Sequence, residues 1–134
     1  QFMAWSGYAF ENICLKHTEQ IKKAMSIAGI YSETSGFYSP GTSTESGVQI
    51  DLLIDRRDNV IDLFELKFYN EAIRLDKSDA LALREKIATF RRLTATRKQI
   101  FLSLLSTFGL TPNENSIGLV ARSLTMDILF EQSG

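Results

Sequence analysis

The sequence is poor in the residues that build disulfide and metal scaffolds. Its 134 residues include one cysteine, Cys14, and one histidine, His17. A lone cysteine forms no disulfide within the chain, and a zinc site needs several nitrogen or sulfur ligands. These absences exclude a disulfide-stapled domain and a zinc module, and the single thiol predicts a reducing, cytoplasmic location. His17 falls on the apolar face of a predicted helix, where we expect a packed residue rather than a ligand.

Long apolar runs and a large net charge are also missing. No stretch of about 18 apolar residues occurs, so we expect no transmembrane helix. The formal net charge of −1 excludes a bulk polycation that would bind nucleic acid through charge alone. A length of 134 residues predicts a single domain over 1–134. The start is neither an initiator methionine nor a signal peptide, so we expect a fragment of a longer protein.

The most informative stretch, 49–67, predicts two strands joined by a tight turn. Polar and apolar side chains alternate at its start, which is typical of a strand with two different faces. The predicted faces carry Gln49, Asp51, Leu53 and Asp55 on one side, and Ile50, Leu52 and Ile54 on the other. Residues 57–59, Arg-Asp-Asn, supply turn chemistry, and a second strand runs from Val60 to Phe68. The simplest pairing places Asp51 opposite Glu65, with Lys67 on the same face.

Two opposed carboxylates on a hairpin suggest a metal site. Asp51 and Glu65 would repel each other if nothing lay between them. A divalent cation such as Mg²⁺ or Mn²⁺ removes that repulsion, because hard cations bind carboxylate oxygens. Lys67 could then hold a water molecule or a phosphate oxygen. The alternative is purely structural: Glu65 and Lys67 form an exposed pair, and Asp51 is an edge-strand charge that prevents aggregation.

Helices and further strands are predicted on both sides of this hairpin. Residues 5–28 have helical periodicity, with Ser6 as the N-cap and Gly29 as the C-terminal stop. Glu11, near the start of that helix, is either an acid favoured by the helix dipole or a third carboxylate of the site. The other predicted elements are a strand over 30–38, a polar loop over 39–47, a helix from Asp76 or Ser78 to Thr94 with Leu83, Ile87, Phe90 and Leu93 buried, strands over 99–107 and 117–123, and a short helix over 126–130 capped by Thr125. This order predicts a mixed sheet flanked by helices, in the α/β class.

Basic residues are concentrated just after the hairpin. Residues 67–98 carry nine Lys or Arg and four Asp or Glu. Lys77, Arg84 and Arg91 are spaced by seven and share one face of the predicted helix, and Arg92 follows directly. We expect these four side chains to bind a nucleic-acid backbone. The alternative is a solvated helix face with a cationic C-terminal end, which the helix dipole favours.

Several motifs together resemble a known family. They are Trp5-Ser-Gly7 with Phe10-Glu11 and Cys14, Gly47-x-Gln49-Ile-Asp51, and Glu65-x-Lys67. The hairpin resembles the core of the PD-(D/E)xK nuclease superfamily, with Ile50 at the proline position. The whole chain is similar to the C-terminal domain of bacterial and archaeal AAA-type (DEXX-box) ATPases, although it contains no P-loop.

This resemblance implies a restriction-endonuclease-like core and a Mg²⁺-dependent nuclease acting on DNA. The implied catalytic residues are Glu11, Gln49, Asp51, Glu65 and Lys67, with Glu11, Asp51 and Glu65 as metal ligands. It also implies an N-terminal ATPase domain on the same polypeptide. A second interpretation is a catalytically silent nuclease fold that binds DNA or a protein partner. The strandedness of the nucleic acid and the oligomeric state, a dimer included, stay open.

Overall fold

The computed structural model describes residues 2–131, and side chains from Gly7 onward. Its helices and strands, in chain order, are α1 (Phe2–Lys16), α2 (Thr18–Ala24), β1 (Ser32–Ser39), β2 (Val48–Arg56), β3 (Val60–Lys67), α3 (Lys77–Thr94), β4 (Gln99–Ser106) and β5 (Val120–Thr125), followed by a 3₁₀ helix (Met126–Phe130). The predicted order of helices and strands is confirmed, except that two helices stand where one was predicted over 5–28. None of the helices within the described part of the chain has the length and apolarity needed to cross a membrane.

The five strands form one mixed sheet in the order β1-β2-β3-β4-β5. The first three strands pair antiparallel, because short loops connect them. β4 lies parallel to β3, with α3 in the crossover between them, and β5 lies parallel to β4. The predicted α/β class, with a mixed sheet flanked by helices, is therefore confirmed.

Each face of the sheet has its own hydrophobic core. The α3-side core packs Leu83 and Phe90 of α3 against sheet residues such as Leu63. The α1-side core packs Phe10 and Cys14 of α1 against the other face. Burial raises the pKa of the Cys14 thiol to about 12, so the thiol stays protonated and serves as a packing group.

The prediction of one helix over 5–28 is wrong, because the helix breaks at His17. The ring Nδ1 of His17 donates to the carbonyl oxygen of Ile13 at 2.7 Å. A continuous helix would give that carbonyl to the backbone N–H of His17, which instead bonds the carbonyl of Cys14. His17 also packs near Phe130, with 6.0 Å between ring centroids, as expected for a packed residue. Ser6 lies inside α1 rather than before it, and its side chain is outside the described part.

The predicted stop at Gly29 is also wrong. Helix α2 ends at Ala24, and Ser26 takes the left-handed conformation with φ of 61°. The N–H of Ile27 bonds the carbonyl of Lys22, and the N–H of Ser26 bonds that of Lys23. This pair of hydrogen bonds is a Schellman motif, and it places a serine where glycine is usual.

The hairpin forms as predicted, but a β-bulge interrupts its alternation. The turn is confirmed, with Asn59 at φ of 67°. Between Ser35 and Phe37 of β1, the register with β2 shifts by one residue. As a result Ile50 and Leu53 both belong to the α3-side core, although strict alternation would separate them. The predicted division of β2 into two faces is therefore wrong at Ile50, which does not share the face of Leu52 and Ile54.

Helix α3 starts where the sequence predicts. Asp76 is its N-cap, and Asp76 and Asp79 form a reciprocal capping box. Leu83 and Phe90 are buried and Ile87 packs beside them, as predicted. Leu93 is 38% exposed, because the helix ends one residue later at Thr94.

The C-terminal elements differ from the prediction in two details. β5 starts at Val120, not at 117, because the N–H groups of Ser116 and Ile117 turn back to the carbonyl of Asn113. Thr125 precedes the 3₁₀ helix, but its hydroxyl contacts the carboxylate of Asp127 and makes no capping bond to a backbone N–H.

Ion pairs fix the turn end of the hairpin, away from the candidate site. Arg56 binds the carboxylate of Asp62, which is 2% exposed, at 3.0 Å, and that of Asp58 at 2.7 Å. Burial raises the pKa of the Asp62 carboxyl despite the opposing effect of Arg56. Lys98 binds Asp55 at 2.6 Å and so ties β4 to the same end of β2.

Candidate functional site

The candidate site lies where β2 and β3 separate. The last residues paired between these strands are Leu52 and Phe64, so Asp51 and Glu65 are the first residues beyond the ladder. The register is the predicted one, and it would place Asp51 opposite Glu65 if the pairing continued. Because the pairing stops there, the two carboxylates stand at an opening in the sheet rather than within a continuous ladder.

The β-bulge in β2 sets the position of Asp51. Two residues of β2, Asp51 and Leu52, lie opposite the single residue Gly36 of β1. A Cβ atom at Gly36 would lie 3.2 Å from the carbonyl oxygen of Ile50 and 3.3 Å from that of Asp51, closer than ordinary contact. Glycine therefore allows the close approach of the two backbones. Bulges commonly redirect a side chain near a functional site, and here the redirected residue is Asp51.

Glu65 and Lys67 lie on the α3 side of the sheet. Their strand neighbours Phe64 and Leu66 belong to the α1-side core, so alternation directs Glu65 and Lys67 to the opposite face. The predicted shared face is correct for this pair. The same argument does not assign Asp51 to this face, because the bulge interrupts the alternation of side chains in β2.

Both oxygens of the Glu65 carboxylate face an ammonium group. The Nζ atom of Lys67 lies 3.4 Å from Oε2, and the Nζ atom of Lys86 lies 2.9 Å from Oε1. The Glu65 side chain is only 16% exposed, so these contacts compensate much of its lost hydration. Lys86 was missed by the sequence analysis. The available signal was its position on α3, three residues after Leu83 and four before Phe90, which places it beside the buried stripe.

Asp51 has a partner on its own strand. The side-chain amide of Gln49 donates to Oδ1 of Asp51 at 3.1 Å. The contact fixes the orientation of the carboxylate, which is half-buried. The expected placement of Gln49 beside Asp51 is confirmed, because the two side chains are hydrogen-bonded.

Glu11 brings a third carboxylate from α1. Burial raises the pKa of the Glu11 carboxyl above its ordinary value, and the negative charge of Asp51 raises it further. Lys67 lowers this pKa, and Glu65, the smallest of the four causes, raises it. Glu11 therefore interacts electrostatically with the three other charged residues of the predicted site. The helix-dipole interpretation is wrong, because α1 starts at Phe2 and Glu11 therefore lies beyond the first turns of the helix, where the favourable effect on an acid has ended.

The donor set suits a hard divalent cation, but its members are not arranged as a finished metal site. Three carboxylates supply the oxygen ligands that Mg²⁺ and Mn²⁺ prefer. Among residues whose side chains are described, no group of three or more His, Cys, Asp or Glu is close enough together to hold an ion. The lysines on Glu65 and the amide on Asp51 occupy part of the oxygen surface that an ion would use.

A cleft of about 780 Å³ opens beside Glu65 and Lys67. The first half of α3 forms one wall, and the segment 68–75 forms another. Leucines of the α3-side core line its floor, and Tyr69 and Arg74 stand among the lining residues. The size is within the range of ligand-binding clefts, which are about 300–1,000 Å³.

The predicted nucleic-acid-binding residues lie mostly away from this cleft. Lys77 and Lys86 are nine residues apart, which puts them about 180° apart around a helix. Lys77, Arg84 and Arg91 therefore form a row on the other flank of α3 from Lys86. Arg91 donates to the carbonyls of Thr96 and Lys98, at 3.0 and 3.2 Å, and so closes the end of the helix.

Arg92 also has a local partner. It lies 3.4 Å from the carboxylate of Glu45, in the polar loop that precedes β2. Gly47 ends that loop, and a Cβ atom there would collide with the backbone of Gly41. Glycine at position 47 therefore permits the close approach of these two backbone segments, and the Arg92–Glu45 pair joins the loop to the end of α3.

The chain matches no protein-family model, and searches of curated proteins and of solved structures return no significant similarity. The functional argument therefore depends on the residues and on the geometry described above.

Proposed function

We propose that this domain is a PD-(D/E)xK-type nuclease that cleaves phosphodiester bonds in DNA with Mg²⁺ or Mn²⁺. The observation that supports the proposal is the register of the hairpin, which brings Asp51 and the Glu65–Lys67 pair to the point where β2 and β3 separate. Glu11 of α1 lies near enough for the charge of Asp51 to raise the pKa of its carboxyl. These charged groups come from α1, β2 and β3, and they interact at the end of the β2–β3 ladder. Keeping three acids near one another costs stability, which is typical of a site that serves a function.

Each residue has a role that follows from its contacts. Asp51, Glu65 and Glu11 would hold the divalent cation, which when bound would polarise the phosphodiester and make a water molecule more acidic. Gln49 orients the Asp51 carboxylate through its amide. Lys67 is 56% exposed beside Glu65, so its ammonium group can reach a phosphate oxygen or hold the attacking water.

The nucleic acid would lie along the cleft beside α3. Lys67 and Arg74 line that cleft, and each can neutralise a phosphate. Lys77 and Arg84 on the other flank would be reached by a longer substrate, whereas Arg91 and Arg92 already have partners within the chain. We also propose, from the family resemblance, that an ATPase domain precedes this domain on the same polypeptide.

A catalytically silent module is the second candidate function. The observation that favours it is the pairing of both Glu65 oxygens with lysines, which neutralises the acid without a metal ion. Such a module would bind DNA or a protein partner through the same cleft. It would bind equally well in EDTA and would cut nothing.

The test is a cleavage assay on single- and double-stranded DNA with Mg²⁺ or Mn²⁺. Asp51→Asn and Glu65→Gln are expected to reduce cleavage by about 100-fold or more, because each removes a charged metal ligand. Glu33→Gln, which removes an acid from the exposed strand β1, is the matched control and should cut like the wild type. Circular dichroism checks that all variants keep the fold.

Two results would reject the nuclease proposal. One is cleavage by Asp51→Asn at the wild-type rate, which would indicate a contaminating enzyme. The other is DNA binding in EDTA by gel shift together with no cleavage under any metal condition, which would support the silent module.

A further inference from the structure

Lys86 connects α3 to the sheet through the acid that is central to the candidate site. Its Nζ atom lies 2.9 Å from Oε1 of Glu65, the shorter of the two lysine contacts that this carboxylate makes. The Lys86 side chain is 31% exposed, against 56% for Lys67, so its contact with Glu65 is the better shielded from water. Of the two ion pairs that Glu65 makes, the one with Lys86 is therefore the stronger.

An ammonium group and a divalent cation compete for the same oxygen atoms. A metal ligand oxygen lies about 2.0–2.6 Å from Mg²⁺, Mn²⁺ or Ca²⁺, in the directions that the ammonium hydrogens now occupy. Two cations on one carboxylate would also repel each other. A metal ion can bind Glu65 fully only after at least one lysine moves away.

We propose that Lys86 is an internal cation that occupies Glu65 until a divalent metal ion displaces it, so that Lys86 sets the metal affinity of the site. The inference rests on the proposed function, since it takes Glu65 as a metal ligand. It goes beyond that function by assigning a residue of α3, outside every recognised motif, to the control of metal loading. Displacement also frees the ammonium group of Lys86 and loosens one connection between α3 and the sheet.

The experiment measures Mn²⁺ binding by calorimetry to the wild type, Lys86→Met, Lys86→Arg and Lys77→Met. Lys86→Met removes the competing charge, and we expect its dissociation constant to fall by about five- to tenfold. Lys86→Arg keeps a cation near Glu65 and should bind Mn²⁺ as weakly as the wild type. Lys77→Met removes the same charge from the opposite flank of α3, so it controls for net charge and should also match the wild type.

Thermal unfolding with and without Mn²⁺ supplies a second measurement. Without metal, Lys86→Met leaves Glu65 with one ammonium partner and should melt below the wild type. Mn²⁺ should raise the melting temperature of Lys86→Met more than that of the wild type, because at a fixed metal concentration the stabilisation of the native state increases with the logarithm of the affinity. Lys86→Gln, which keeps a hydrogen-bond donor but no charge, replaces Lys86→Met if that variant does not fold.

The outcomes separate this inference from the nuclease proposal. Equal Mn²⁺ affinity in the wild type and in Lys86→Met would overturn the inference and leave the metal site of the proposed function intact. If Mn²⁺ binds to neither protein and Lys86→Met is unstable in all conditions, Lys86 is a structural connection, and the metal-dependent function fails as well. Tighter binding by Lys77→Met, equal to that of Lys86→Met, would attribute the effect to net charge and would also overturn the inference.

Discussion

Glu11 is held in a position that is unfavourable for a charged carboxylate. It is half-buried on α1, and burial together with the negative charge of Asp51 raises its pKa. Lys67 partly compensates for this effect. An acid that served only as a surface residue of the helix would extend its carboxylate into solvent. Glu11 instead stays half-buried and within electrostatic reach of Asp51, so the cost of its position can be measured.

The first prediction is that Glu11→Gln stabilises the protein near neutral pH. The folded-state pKa of Glu11 is raised above the ordinary value of 4.5, so between these two pKa values the native state binds more protons than the unfolded state. The contribution of Glu11 to the free energy of unfolding therefore falls as the pH rises from its unfolded-state pKa through its folded-state pKa. A glutamine at this position does not ionise, so the variant does not lose this contribution. Urea unfolding at about pH 7 and about pH 3.5 should show a gain that is present at the higher pH and vanishes at the lower one.

Glu19→Gln is the control for this comparison. Glu19 is exposed on α2 and makes a surface ion pair with Lys22 at 3.2 Å. Its removal should leave stability nearly unchanged or lower it slightly. A loss of stability in Glu11→Gln at neutral pH would mean that Glu11 is a favourable structural acid, and would weaken its assignment to the site.

For the helices and strands, the sequence predicts where each element lies better than it predicts where the element ends or is interrupted. The cap at Asp76 was one of the two that the sequence predicted, because a capping side chain bonds the backbone of its own turn. The break at His17 was not, because it depends on a ring nitrogen taking one particular carbonyl. The bulge in β2 was hidden for a similar reason, since it is set by the pairing with Gly36, which is remote in sequence.

The same limit applies to the candidate site. The positions of Asp51, Glu65 and Lys67 in the hairpin could be predicted, because the register of a hairpin follows from its turn. Lys86 could not be assigned to Glu65, because that contact requires the path of α3 across the sheet. Arg91 was predicted to bind nucleic acid, but it donates to two backbone carbonyls after the helix, which periodicity does not reveal.

The end of α3 leads to a prediction at this scale. Ala95 has φ of 54° and ψ of 24°, a left-handed conformation that costs a residue with a Cβ atom about 1–2 kcal/mol. Ala95→Gly should therefore stabilise the protein by about 1 kcal/mol, after allowance for the greater entropy of glycine in the unfolded chain. Denaturant unfolding measures the difference.

Ala88→Gly provides the matched control, because Ala88 is exposed in the interior of the same helix. There the substitution should destabilise by about 1 kcal/mol. If Ala95→Gly raises the free energy of unfolding and Ala88→Gly lowers it, backbone conformation decides the effect of the substitution. Equal signs would contradict the left-handed end of α3.

At the scale of the whole molecule, positive charge is distributed over two flanks of α3. One flank faces the cleft, where Lys67 and Arg74 are among the lining residues. The other flank carries Lys77 and Arg84, about half a turn away around the helix. The sequence predicted a concentration of basic charge in this region, but a single linear pattern does not separate the two flanks.

The third prediction follows from that separation. Arg74→Gln should weaken binding of a short single-stranded DNA in EDTA and lower the slope of log K against log salt by about 0.7, the effect of one lost phosphate contact. Arg84→Gln removes the same charge from the other flank and should leave both quantities close to the wild type. Fluorescence anisotropy over a salt series measures them. A larger loss with Arg84→Gln would place the nucleic acid on the outer flank of α3.

The bulge opposite Gly36 has a consequence for solubility. Strand β1 forms one edge of the sheet, and its eight residues carry a single charge and no proline. A straight edge of this kind would be a template for β-strand addition by a neighbouring molecule, the first step of aggregation. The surplus residue in β2 bends and twists the pair, so the edge is not flat. Shortening β2 by one residue at this point would therefore be expected both to displace Asp51 and to make the protein self-associate.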